Sequence, residues 1–192
     1  MRTYEQLQKL FPTATLSTWH QHPFGGGWVE NTATVADTAY VGPDALVFEN
    51  AQVFGNAWVF ENAQVSDNAL VYGNAQVSDN ALVYGNARVY GNALVRGDAC
   101  VFGNALVRGD ARVYGNALVR GDAWVFGNAK ITGTTRISQG IHKGLKPVLE
   151  EKSSEKVVLT SDMSKYPHTC LKCGAPAYIG VTRVECSKCG EY

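Results

Sequence analysis

No histidine occurs between His22 and His142, and no lysine or arginine between Lys9 and Arg88. The first gap removes the commonest general base, and a frequent metal ligand, from the middle of the chain. The second leaves Glu30, Asp37, Asp44, Glu49, Glu61, Asp67 and Asp79 with no cation among them. Threonine is absent between Val41 and Lys130. No apolar run is long enough to span a bilayer, and the N-terminus does not read as a signal peptide. Cysteine is scarce as well: one at Cys100, and four close to the C-terminus.

What fills the middle is a beat of six. From Val29 to Ile137 an aliphatic residue stands at every sixth position, and from Ala33 to Ala129 an alanine precedes each by two. The dominant unit is Ala-x-Val-aromatic-Gly-Asn, as in Ala87-Arg88-Val89-Tyr90-Gly91-Asn92. On a strand, residues two apart share a face, so Ala and Val point inward while the residues between and after them point outward. Gly, and Asn or Asp beside it, tolerate the left-handed backbone of a corner. Three sides make an eighteen-residue triangular coil, and about six coils stacked about 4.8 Å apart make a rod about 30 Å long. The expected fold is all-β, a single-stranded parallel β-helix, with Asn above Asn at corners such as Asn56, Asn74 and Asn92.

These residues resemble the hexapeptide-repeat, left-handed β-helix superfamily over roughly Val29–Ile137. Family units place Gly directly after the aliphatic residue, whereas here Gly comes one later. With Gly25-Gly26-Gly27-Trp28-Val29 leading in, the variant looks most like the YdcK-type β-solenoids. The left-handed winding is implied by that resemblance alone. So are two functional expectations: assembly as a trimer through a flat outer face, and acyl transfer from an acyl-CoA. The second needs a histidine base beside the coils, and His142, just past the last coil, is the single candidate in reach. Ice binding, a third use of such faces, needs outward threonine ladders that are missing here.

The outward columns carry the rest of the reading. Phe54, Tyr72, Tyr90, Arg108 and Phe126 form one column, and Leu46, Gln64, Leu82, Cys100 and Leu118 another. With Trp58 and Trp124 they read as contact surfaces, or as stacking that strengthens neighbouring strands. From Arg88 onward Arg96, Arg108, Arg112, Arg120, Lys130 and Arg136 outnumber Asp98, Asp110 and Asp122, so the rod has an acidic and a basic end. That gradient orients a contact, or else records drift among duplicated units such as the blocks starting at Ala93, Ala105 and Ala117. Three Arg-Gly-Asp triplets, at Arg96, Arg108 and Arg120, fall in corner slots and do not read as adhesion motifs.

The ends differ from the middle. Residues 1–28 read as a cap, with a capping box in Thr3-Tyr4-Glu5-Gln6 and with Trp19 and Phe24 covering the open first coil. His20 and His22 read as part of a polar loop. The β-helix takes 29–139, a linker 140–166 with one short strand at Val157–Leu159, and a zinc ribbon 167–192. Cys170, Cys173, Cys186 and Cys189 stand as two Cys-x-x-Cys pairs, each followed by Gly, a spacing that can present four thiolates tetrahedrally to Zn²⁺ and that resembles a zinc ribbon or rubredoxin-like knuckle pair, with iron or disulfides as the alternatives. Four cysteines close the coordination sphere, so the metal is expected to be structural and the ribbon a protein contact. Its four cations are too weak a footprint for nucleic acid. Reduced cysteines point to a cytoplasmic protein, or to a virion component if a phage encodes it. The function expected is a non-catalytic scaffold or assembly module, with the acyltransferase as alternative.

Overall fold

The computed structural model describes residues 1–144 and three later strands, Ala177–Ile179, Val184–Cys186 and Gly190–Glu191. The chain divides into two compact units, Met1–Leu149 and Glu150–Tyr192.

In the first unit the chain winds through three parallel sheets in rotation. Sheet 1 has eight strands, from β1 (Trp19–Gln21) and β2 (Trp28–Glu30) to Arg136–Ile137. Sheet 2 has seven, from Thr34–Val35 to Ile141–Gly144, and sheet 3 has six, from Tyr40–Val41 to Lys130–Ile131. Partners in a sheet are one coil apart, as Gln76 with Leu94 and Val77 with Val95. The six-residue beat therefore gives one side of the coil, and three beats close it. Each coil donates its backbone N–H groups to the next: Leu82 to Ala99 O at 2.9 Å, Tyr84 to Val101 O at 3.0 Å, Asn86 to Gly103 O at 2.8 Å.

The Val and Ala columns are the core. From Val41 to Val125 every one is fully buried, while the residues between them are half-buried or exposed, Leu46 excepted. Burying a Val side chain contributes about 1.5–2 kcal/mol, and no single coil encloses enough of them to stand alone. The last coil breaks the count. Ile141 pairs with Trp124 and His142 with Val125, so the final strand arrives one residue early. Ile141 takes an outward place and is 69% exposed, and His142 falls on the inward column at its end.

The N-terminal segment divides between the outer face of sheet 1 and the open edge of the first coil. Helix α1 (Tyr4–Leu10) starts with the expected capping box, Gln6 N–H to Thr3 Oγ1 at 3.2 Å and Thr3 N–H to Gln6 Oε1 at 2.8 Å. It does not lie across the coil's open end. Leu7, Ala14, Trp19, Trp28 and Leu46 form a second small core on the outer face of sheet 1, with Phe11 and Phe48 against it. The edge of sheet 1 is closed instead by β1, antiparallel to β2, and the edge of sheet 3 by the loop of Phe24 and Gly27, bonded to Val41. The reason is chemical: Trp28 and Leu46 are outward apolar residues that need a cover, and α1 provides it.

In the second unit Ala177–Ile179 pairs antiparallel with Val184–Cys186, and that strand with Gly190–Glu191.

Candidate contact surfaces

With Ala and Val turned inward, every residue able to meet a partner stands on an outer face or a corner. Sheet 1 presents Gln64, Leu82, Cys100, Leu118 and Arg136 beyond the helix; Leu46, expected in an exposed stripe, is wholly buried under α1. Sheet 2 presents Gln52, Leu70, Arg88, Leu106, Trp124 and Ile141, and sheet 3 presents Tyr40, Trp58, Gln76, Leu94, Arg112 and Lys130. Trp58 is 43% exposed and Trp124 46%. Leucines on these faces are half-buried by their neighbours one coil away.

The expected aromatic column is real in its middle. Tyr72 and Tyr90 stack at 4.6 Å with 6° between planes, and Tyr84 and Phe102 at 4.7 Å with 4°. Arg108 lies 4.9 Å over Phe126, and Arg96 5.4 Å over Tyr114. Burial pushes the Tyr72 and Tyr84 hydroxyls up, with Tyr90 adding to the effect at Tyr72 and Cys100 at Tyr84. At the N-terminal end Phe24, Tyr40 and Trp58 gather, with centroids 5.1 Å apart for Phe24–Tyr40 and 4.7 Å for Tyr40–Trp58.

The corners hold a chemistry that composition did not disclose. Glu49, Glu61, Asp67 and Asp79 occupy the place of the corner glycine, with φ of 56–58°. Each carboxylate accepts a backbone N–H from the next coil: Asp67 N–H to Glu49 at 2.7 Å, Asp79 to Glu61 at 2.7 Å, Gly85 to Asp67 at 2.8 Å, Gly97 to Asp79 at 2.8 Å. Glu30 begins one column by accepting from Glu49 N–H at 2.6 Å. Burial, then a side-chain hydrogen bond with the Asp67 carboxyl, raises the Glu49 carboxyl above its ordinary range, while the Asp67 N–H works the other way.

Beside them run three columns of side-chain amides. Asn62 donates to Asn80 and Asn80 to Asp98; Asn68 to Asn86, Asn86 to Asn104 and Asn104 to Asp122; Asn74 to Asn92 and Asn92 to Asp110. All run one way, and each stops at an aspartate, which has no N–H to pass on. Those three aspartates are the acidic residues of the Arg-Gly-Asp triplets, so each triplet marks the end of an amide column.

The residues singled out for chemistry are scattered. His142 is half-exposed, and its Nε2–H donates to the Gln139 carbonyl oxygen 3.2 Å away. His20 is exposed on strand β1 and meets Asn31 at 2.7 Å, whereas His22 lies in the loop that follows, buried at 3% exposure with Nδ1 against Phe24. Cys100 is raised by burial, and then by Asp98, away from thiolate. Cys170, Cys173 and Cys189 lie outside the described residues, as does the side chain of Cys186, and so does the expected strand at Val157–Leu159. Among the described residues no cluster of His, Cys, Asp or Glu could hold a metal, and no helix is long and apolar enough to cross a membrane.

Three segments, residues 63–77, 75–89 and 111–127, match the model of the YdcK beta solenoid repeat. They fall within the coils just described, and the chain is similar to that family there. The chain is a β-solenoid protein. No curated protein and no solved structure matches it. Outside those segments the β-solenoid is therefore defined by its own burial and register.

Proposed function

We propose that this β-solenoid is a non-catalytic binding and assembly module: a rigid rod, wound left-handed as in the hexapeptide family, whose outward columns bind further copies of the chain. The observation that carries the reading is the disposition of those columns. Trp58 and Trp124 stand open to solvent on faces that are otherwise well packed, and a solvated rod has no use for them. The cations of the later coils point the same way. Among the described residues the one ion pair joins the Met1 amino group to Asp44 at 3.3 Å, so Arg88, Arg112 and Lys130 are not neutralised within their own rod. Sedimentation tests this reading, which requires association of the rods. An acyl-CoA turnover lost on His142→Ala would overturn it in favour of the acyltransferase.

The second unit, in this reading, is a ribbon that Zn²⁺ on Cys170, Cys173, Cys186 and Cys189 holds together, and that offers a contact to another protein. Its backbone favours the assignment. Cys186 ends one strand and pairs antiparallel with Gly190 at the start of the next, so the second Cys-x-x-Cys joins two paired strands in sequence, as the ligands of a metal knuckle do. Metal analysis of protein purified under reducing conditions should find one zinc per chain, lost in Cys170→Ser. A metal-free protein would remove the ribbon and leave the solenoid reading standing.

A further inference from the structure

We propose that the outer face of sheet 3 docks a second copy of this chain, antiparallel, about a two-fold axis between the Gln76 and Leu94 rows. The proposal rests on the self-association reading above and specifies its geometry. Along this face the strand order is Tyr40, Trp58, Gln76, Leu94, Arg112, Lys130. A two-fold at the centre reverses the order, so each row meets its opposite. Lys130 then faces the aromatic group of Tyr40 and Phe24, Arg112 faces Trp58, and Leu94 faces Gln76. Both outer rows become cation–aromatic contacts, and each occurs twice. One corner follows the same rule, with the exposed Arg96 brought towards the row of Asp79.

The other faces do not allow this. On sheet 1 helix α1 already covers one end of the row, at Leu46. On sheet 2 the seven strands centre on Arg88, and a two-fold there would set that guanidinium against itself. A parallel arrangement, including the trimer expected from the hexapeptide family, places like rows side by side on any face. Arg112 and Lys130 would then abut the cations of a neighbour, and Glu61 and Asp79 its carboxylates. The two ends lie five rows, about 24 Å, apart, well beyond the screening length of about 8 Å at physiological salt. Repulsion at one end is therefore not offset by attraction at the other.

The face is small. Six rows of about 4.8 Å by a side of about 18 Å give roughly 500 Å² per partner, the low end for specific interfaces. The dimer is accordingly weak, and the test must reach hundreds of micromolar protein. Sedimentation velocity over that range should show a monomer–dimer equilibrium that stops at the dimer. Trp58→Arg, which sets Arg against Arg112 of the partner, should raise the dissociation constant about tenfold or more. Gln52→Arg, on sheet 2, should leave it unchanged, and thermal melts should show both variants folded.

Zero-length carbodiimide coupling then reads the direction. Lys130 is too far from Asp37 and Asp44 to reach them within one chain, so a Lys130–Asp37 or Lys130–Asp44 link in the dimer band supports the antiparallel pair. Links from Lys130 confined to carboxylates of its own end, such as Asp110 or Asp122, would overturn it, as would a closed trimer or an open end-to-end polymer. Those outcomes leave self-association intact. A monomer at every concentration would overturn both readings.

Discussion

A corner of this solenoid must supply a residue at φ near +60°, and the chain uses two solutions, carboxylates mixed with glycine up to Asp79 and glycine alone from Gly85 on. Glycine gives the conformation without strain but leaves the next coil's N–H to other acceptors. Glutamate and aspartate accept about 1 kcal/mol of left-handed strain and bond that N–H with a carboxylate, a charge-assisted contact of comparable size. Glu61 separates the terms. Glu61→Ala keeps the strain and loses the bond to Asp79 N–H, and should cost about 1–2 kcal/mol in chemical denaturation. Glu61→Gly loses the bond but also the strain, and should fall within about 0.5 kcal/mol of the parent. Equal losses in the two variants would refute this division.

Glu49 adds a pH dependence. Its carboxyl is raised by burial and by the side-chain hydrogen bond with the Asp67 carboxyl, which together outweigh the Asp67 N–H, so the folded chain holds that proton more tightly than the unfolded one. The associated stability is present at low pH and is lost as pH climbs from the ordinary value of 4.5 through the raised one. Glu49→Gln keeps an oxygen for Asp67 N–H and removes the charge. Thermal melts should find it slightly more stable than the parent at neutral pH, by a few tenths of a kcal/mol, with the gap closing in acid. A loss of stability at neutral pH would show that the charge is needed for the bond.

At the scale of elements, the one-way amide columns explain why aspartate follows Gly97, Gly109 and Gly121. Asn86 both accepts from Asn68 and donates to Asn104, so Asn86→Ala should cost about 1 kcal/mol in a denaturation midpoint. Asp98→Asn restores a donor facing the following coil and should be neutral or stabilising; a marked loss would mean that Asp98 serves as more than a terminus. The inward columns, the eighteen-residue register and the capping box were legible beforehand, because Val and Ala at fixed spacing admit one packing and Thr3 with Gln6 one local geometry. The corner carboxylates were not. In sequence they read as an excess of negative charge, and their N–H partners lie eighteen residues away. Nor was the place of α1: the capping box marks where it starts, while Leu46 and Trp28, which decide where it packs, resemble every other outward residue. The early arrival of the last strand, which turns His142 inward, left no mark in the six-residue beat.

For the whole molecule, the repetition makes core and surface separable. Removing the six residues Ala93–Asp98 leaves every remaining Ala and Val in its column, since one hexad replaces another. It also turns all later strands by one face, so Arg112 and Lys130 no longer share a face with Trp58. The shortened chain should keep a cooperative melt and a β-type circular dichroism spectrum while its self-association is weakened, since Leu118 replaces Arg112 opposite Trp58 and only Arg136, in the place of Lys130, still meets Tyr40. Unfolding on this deletion would mean that outward residues help to specify the coil. Dimerisation unchanged would detach self-association from the rows of sheet 3.

The central claim is that the outward columns of this solenoid exist for contact with further copies of the chain, and the mass in solution tests it most directly. Sedimentation equilibrium of the native chain should give 20.8 kDa at high dilution and a mass rising toward twice that value with concentration. A mass of 20.8 kDa at every concentration, into the hundreds of micromolar, would contradict it.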